Sequence, residues 1–98
     1  MKSGLFEVDT LFVDDERTIA LVRLQGVGRR VVNEVSNNTY RVVSGLGQFL
    51  IEGREPLEVA AGDVVGISRG TAYQDEGDLV MLVTSVPPFN PEAVQVLD

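Results

Sequence analysis

The feature that most constrains this chain is its rhythm. Short apolar runs are broken every eight to twelve residues by glycine- or asparagine-containing turns, the spacing of an all-β sandwich or barrel. Ten short strands are expected, at residues 5–8, 11–13, 18–24, 31–35, 39–43, 48–52, 57–59, 64–67, 72–75 and 79–86. Turns are expected at Asp14-Asp15-Glu16, Gly26-Val27-Gly28, Ser36-Asn37-Asn38, Ser44-Gly45-Leu46-Gly47, Gly53-Arg54, Ala61-Gly62-Asp63, Ser68-Arg69-Gly70-Thr71 and Glu76-Gly77-Asp78. The prolines of Pro87-Pro88-Phe89-Asn90-Pro91 lack the N–H a ladder needs. Residues 92–97 are read as one helical turn, with Asn90 as N-cap and Pro91 at the first helical position.

Length and charge then narrow the classes. Ninety-eight residues suit one domain, read as spanning 1–98, with a single core. The net charge of −7, with Arg29-Arg30 as the only basic doublet, opposes binding to a phosphate backbone or an anionic membrane. No nucleic acid and no membrane are therefore expected as partners. Met1-Lys2-Ser3-Gly4 lacks the apolar core of a leader, and no run reaches membrane-spanning length, so the expected location is cytoplasmic.

What the chain lacks excludes more chemistry than any motif suggests. It has no cysteine, so disulfides, thiolate catalysis and zinc–thiolate sites are out of reach. It has no histidine, which removes the commonest metal ligand and the commonest general base near neutral pH.

Residues 26–77 resemble the two motifs of the cupin family, small double-stranded β-helix barrels of jelly-roll type. Gly26 and Gly45 fit the glycine frame of the first motif. That frame puts Val32 and Glu34 where the family carries two histidines, and Asn38 where it carries a glutamate. Gly62, Ser68, Gly70, Tyr73 and Gly77 occupy the second motif in order, with Tyr73 at its histidine position. The Gly62-Asp63-Val64-Val65 turn, the Arg69-Gly70-Thr71 corner and the Pro87-Pro88-Phe89 ending are similar to those of small single-domain cupins. The resemblance implies a cupin-type all-β barrel. It carries over no metal role, because valine cannot ligate and the remaining oxygens are too few for a hard cation. No metal and no cofactor are expected.

If the family register holds, alternation along each strand brings Val32 and Glu34, Asn38, Tyr40 and Val42, and Tyr73 and Asp75 to a shared interior. Phe49 or Ile51 and Met81 or Val83 would floor it. Glu34 is the candidate charged group: in a pocket its pKa would rise and it could take a proton, whereas beside a turn it would point to water. Tyr73 and Tyr40 can donate hydrogen bonds to a ligand oxygen or fill space. Asn38 can read an amide or hydroxyl, or serve the turn. Asp75 can pair with Glu34, or be a solvated turn acid. Arg41 should face away from Tyr40 by alternation, and Arg69 lies in a turn.

Three functions are compatible with this set. The first is a metal-free barrel binding a small organic ligand through Glu34, Asn38, Tyr40, Tyr73 and Asp75. The second is a cofactor-independent isomerase, epimerase, cyclase or lyase with Glu34 as base and Tyr73 as acid. The third is a dimerisation or interaction module without a catalytic site. A homodimer is expected, with Leu5–Val13 offering an edge to a second subunit.

Overall fold

The computed structural model describes residues 4–97. Eight strands form one curled sheet: β1 (Leu5–Val13), β2 (Thr18–Val27), β3 (Val31–Asn33), β4 (Asn37–Ile51), β5 (Leu57–Ala60), β6 (Val64–Ile67), β7 (Ala72–Val86) and β8 (Val94–Val96). The order is β1-β2-β7-β3-β8, and β4 pairs β7 on one side and β5 and β6 on the other. Every pairing is antiparallel. Among the described residues, no helix is long and apolar enough to cross a membrane.

Eight strands stand where ten were expected, because two predicted turns and the break at residues 9–10 lie inside continuing strands, which removes three, while β8 is added. Residues 5–8 and 11–13 are one strand, β1, with a register shift between Thr10 and Phe12. Ser44-Gly45-Leu46-Gly47 lies within the 15 residues of β4, and Glu76-Gly77-Asp78 within the 15 of β7. At Gly45, φ is +98° and a Cβ would collide with the Asp78 carbonyl. Only glycine lets the two backbones run on past each other there.

The shift in β4 also decides what faces inward. Asn38, Tyr40 and Val42 are buried at even positions, whereas Phe49 and Ile51 are buried at odd ones. The extra residue between Val42 and Ser44 in the pairing with β7 changes the parity, as a bulge does. In β7 the alternation is unbroken. Tyr73, Asp75, Leu79, Met81, Val83 and Ser85 are all buried. Phe49, Leu79, Met81 and Val42 are among the most completely enclosed side chains, and burial of each contributes about 1.5–3 kcal/mol.

The C-terminal segment departs from the expected helical turn. Pro91–Ala93 is a short 3-10 turn, capped as expected by Asn90, whose side chain accepts from the Glu92 N–H at 3.0 Å. The chain then becomes β8 and pairs with β3, Val31 opposite Val96. The alternating valines of 94–96 suit a strand better than a helix, and the free edge of β3 supplies the partner.

Candidate functional site

Two long strands, β4 and β7, position the side chains that matter. Their register sets Tyr40 opposite Val83, Asn38 opposite Ser85, Phe49 opposite Asp75 and Ile51 opposite Tyr73. The inner face therefore carries a polar group made of Asn38, Tyr40, Tyr73, Asp75 and Ser85, set on the apolar floor of Phe49, Met81 and Val42. Both members of each alternative pair for the floor, Phe49 and Ile51, Met81 and Val83, are buried in one cluster.

The polar group is a connected chain of hydrogen bonds. The Ser85 hydroxyl donates to Asn38 Oδ1 at 2.7 Å. This leaves the Asn38 amide N–H to donate toward the Tyr73 oxygen, and the two phenolic hydroxyls of Tyr40 and Tyr73 meet at 2.5 Å. The rings are held by aromatic packing: Tyr40 lies edge-on to Phe49 at 5.1 Å and to Tyr73 at 5.9 Å between centroids. Each such pair adds about 0.5–1.5 kcal/mol beyond area burial. The phenols are thus fixed in direction before any ligand arrives.

Burial shifts the acids of this site in one direction. Asp75 is held above the ordinary carboxyl value mainly by desolvation, partly offset by its own backbone N–H. Both phenols are pushed up by burial, Tyr40 further than Tyr73, with the neighbouring phenol and Asp75 adding to the effect on Tyr40. The tyrosines therefore stay protonated and act as hydrogen-bond donors, while the carboxyl is drawn toward the pH range useful for proton transfer. Asn38, Tyr40, Tyr73 and Asp75 keep 5%, 7%, 6% and 8% exposure, whereas Phe49 and Met81 beneath them have none.

Glu34 is not part of this group, which corrects the expectation that it shares the interior with Val32. The strand β3 ends one residue earlier, at Asn33. There the Asn33 side chain accepts from the N–H groups of Val35 at 3.0 Å and Ser36 at 2.8 Å. This Asx turn swings Glu34 outward, where it is exposed, while Val32 is buried. Of the two readings of Asp75, the structure has the buried strand residue and not the turn acid. Arg41 is exposed, opposite in sense to Tyr40, and Arg69 is exposed in its turn with its N–H bonded to Asn37 Oδ1 at 2.9 Å.

Two residues of the site were missed by sequence reasoning. Ser85 would have been found by counting odd positions from Tyr73 along a single uninterrupted β7. Gly28 packs directly on the Asp75 carboxyl, where a Cβ would collide with Oδ1. Its N–H donates to the Asp75 carbonyl at 2.8 Å, and its own carbonyl accepts from Gln74 Nε2 at 2.8 Å.

The four positions that correspond to the metal ligands of cupin barrels do not fit a cation. Val32 has no donor atom, Glu34 faces outward, and Asn38 and Tyr73 are spent on each other and on Ser85 and Tyr40. Among the described residues, no three histidine, cysteine, aspartate or glutamate side chains are grouped to hold a metal.

No protein-family model matches the chain, and no curated protein sequence matches it. Solved structures do. A histidine-to-glutamine variant of Streptomyces PAC13 with uridine superposes with a TM-score of 0.82 at 27% identity, over 89% of this chain and 72% of that one. Pac13, described as a nucleoside dehydratase, gives a TM-score of 0.81 at 24% identity, over 96% and 84% of the two chains. KdgF from Halomonas sp. gives 0.75 at 20% identity, over 84% and 80%. The DMSP lyase DddQ from Ruegeria pomeroyi gives 0.79 at 19%, over 93% of this chain and 51% of that one. The fold of this chain is that of the small cupin-type barrels.

Proposed function

We propose that this chain is a small-molecule-binding cupin-type barrel, and that Asn38, Tyr40, Tyr73 and Asp75 receive the ligand. The observation that carries the reading is the contrast within the inner face. The polar quartet keeps a little access to solvent, whereas Phe49 and Met81 beneath it keep none. A concave, mostly apolar site with a few oriented polar groups is the usual form of a ligand pocket. The phenol pair offers O–H donors, Asn38 an amide, and Asp75 a carboxyl, a set suited to an uncharged molecule with carbonyl and hydroxyl oxygens. The likeness to a barrel solved with uridine makes nucleosides the first class to try, and a cytoplasmic setting fits the cysteine-free composition. Titration calorimetry with uridine, other nucleosides and simple sugars tests the reading. Saturable binding that weakens at least tenfold in Tyr73→Phe supports it; heats that are unchanged in that variant refute it.

A second reading, a cofactor-independent lyase, is favoured by the raised pKa of Asp75 and the likeness to a nucleoside dehydratase. The base is Asp75 in place of Glu34. The Asp75 carboxylate takes a proton from a carbon beside a carbonyl, and the protonated phenols hydrogen-bond the developing enolate oxygen. As the C=C bond forms, the β-hydroxyl leaves and collects that same proton from Asp75, giving water and restoring the carboxylate. One Pac13 variant replaces a histidine and others replace a tyrosine. This chain has two tyrosines and no histidine, so proton transfer here rests on the carboxyl. Loss of α-proton exchange into deuterated water on Asp75→Asn, with ligand binding retained, is the expected outcome. Exchange that persists in the variant removes Asp75 from the role.

A further inference from the structure

The outer face of the sheet is built as if it were a second core. In an antiparallel sheet with one face in water, outward positions are normally polar. Here the outward residues of β2 and β7 include Ile19, Leu21, Val80 and Leu82, all only half-buried, on strands whose inward residues already fill the barrel core. These are the second and third strands of the layer β1-β2-β7-β4-β6. At these four positions they are apolar outward as well as inward, and the chain itself covers only the inward side.

The register shows what covers the other. One row runs straight across the outer face: Asp9 opposite Leu21, Leu21 opposite Leu82, Leu82 opposite Arg41. Over β1, β2, β7 and β4 the row reads acid, leucine, leucine, base, with its midpoint between β2 and β7, and Val64 of β6 continues it beyond Arg41. A two-fold axis parallel to the strands at that midpoint lays Leu21 of one copy on Leu82 of the other. The same operation lays Asp9 on Arg41 and Arg41 on Asp9. This row is therefore complementary to itself under the commonest symmetry of protein oligomers.

Pairing along the edge of β1 is a poorer solution in the registers centred on Val8 and Asp9. A two-fold antiparallel pairing centred on Val8 sets Glu7 opposite Asp9 of the second copy, and one centred on Asp9 sets two aspartates together. Like charges directly opposite are destabilising, and they are a common guard on free edges. We propose that this chain forms a homodimer by packing the outer faces of β2 and β7 back to back, with Asp9 and Arg41 paired across the interface. The site described above plays no part in this contact, so ligand binding and dimerisation are tested separately.

Sedimentation velocity of the full chain from 1 to 200 µM on the order of cellular to concentrated conditions decides the matter. The expected species has twice the 10.6 kDa chain mass. Arg41→Glu should raise the dimer dissociation constant by about tenfold or more, as juxtaposed like charges do. Asp9→Arg combined with Arg41→Glu should restore it to within about threefold, because the pair is reversed and not lost. Leu82→Glu should abolish the dimer while far-UV circular dichroism stays unchanged. A wild-type monomer throughout the range overturns the proposal. So does a folded Leu82→Glu chain that remains dimeric, or a double variant as weak as Arg41→Glu alone.

Discussion

Removing one hydroxyl at a time from the phenol pair should give unequal losses, and the structure says which is larger. The Tyr73 oxygen serves two groups, Tyr40 and Asn38, whereas the Tyr40 hydroxyl is bonded to Tyr73. Tyr40→Phe leaves Tyr73 still bonded to Asn38, so the cost is that of one ordinary hydrogen bond, about 0.5–1.5 kcal/mol. Tyr73→Phe strands both the buried Tyr40 hydroxyl and the Asn38 amide. Each orphaned buried group costs about 1–3 kcal/mol, so the loss from the two should be roughly 2–6 kcal/mol. The double variant removes the stranded Tyr40 hydroxyl, and should cost less than the sum of the singles by about 1–2 kcal/mol. Urea unfolding of the four proteins measures this cycle. In a chain of this size 1 kcal/mol moves Tm by roughly 4–8 °C, so the asymmetry is well within reach. Equal losses from the two singles, or strict additivity in the double, would refute the hydrogen-bond chain as described.

Further outcomes follow from the same geometry. Because folding raises the Asp75 pKa above its unfolded value of 3.8, the folded state binds that proton more tightly. Stability contributed by this group is full below the unfolded value and is lost as pH rises through the folded one. Asp75→Asn should therefore gain stability relative to wild type on going from pH 3 to pH 7, read from urea midpoints; a difference that does not change with pH excludes the linkage. Gly28→Ala forces a methyl onto the Asp75 carboxyl and should cost about 1–3 kcal/mol, the usual range for overpacking, and a neutral result would mean the loop is free to move. Met81→Ala, at a fully enclosed position, should cost about 2–5 kcal/mol by loss of contacts and creation of a cavity.

The sequence revealed the strand chemistry more reliably than the strand boundaries. Alternation placed Asn38, Tyr40 and Tyr73 on inward faces, and it placed Arg41 outward. Those positions follow from the period of two once the register of the resembling family is taken. The turn signals were less informative, because a glycine that ends a strand and a glycine that bends one look alike in sequence. Gly45 and Gly77 both sit inside long strands with positive φ, and reading them as punctuation cut β4 and β7 in two. That cut hid Ser85, which shares one face with Tyr73 only when β7 is continuous. Glu34 was misplaced for a different reason. Val32 continues the alternation, but Asn33 captures two backbone N–H groups and turns the chain before the next inward position. Such local side-chain capping competes with the ladder, and no periodicity announces it.

The central claim is that the two phenols stand where a small solute can reach them. The chain contains only these two tyrosines and no tryptophan, so ring-labelled tyrosine reports on the site without background. Carbon-13 spectra of that protein, titrated with uridine, other nucleosides and simple sugars, should show both ring signals moving saturably with at least one probe. Rings that stay fixed against every probe, in a protein that remains folded, would contradict the account.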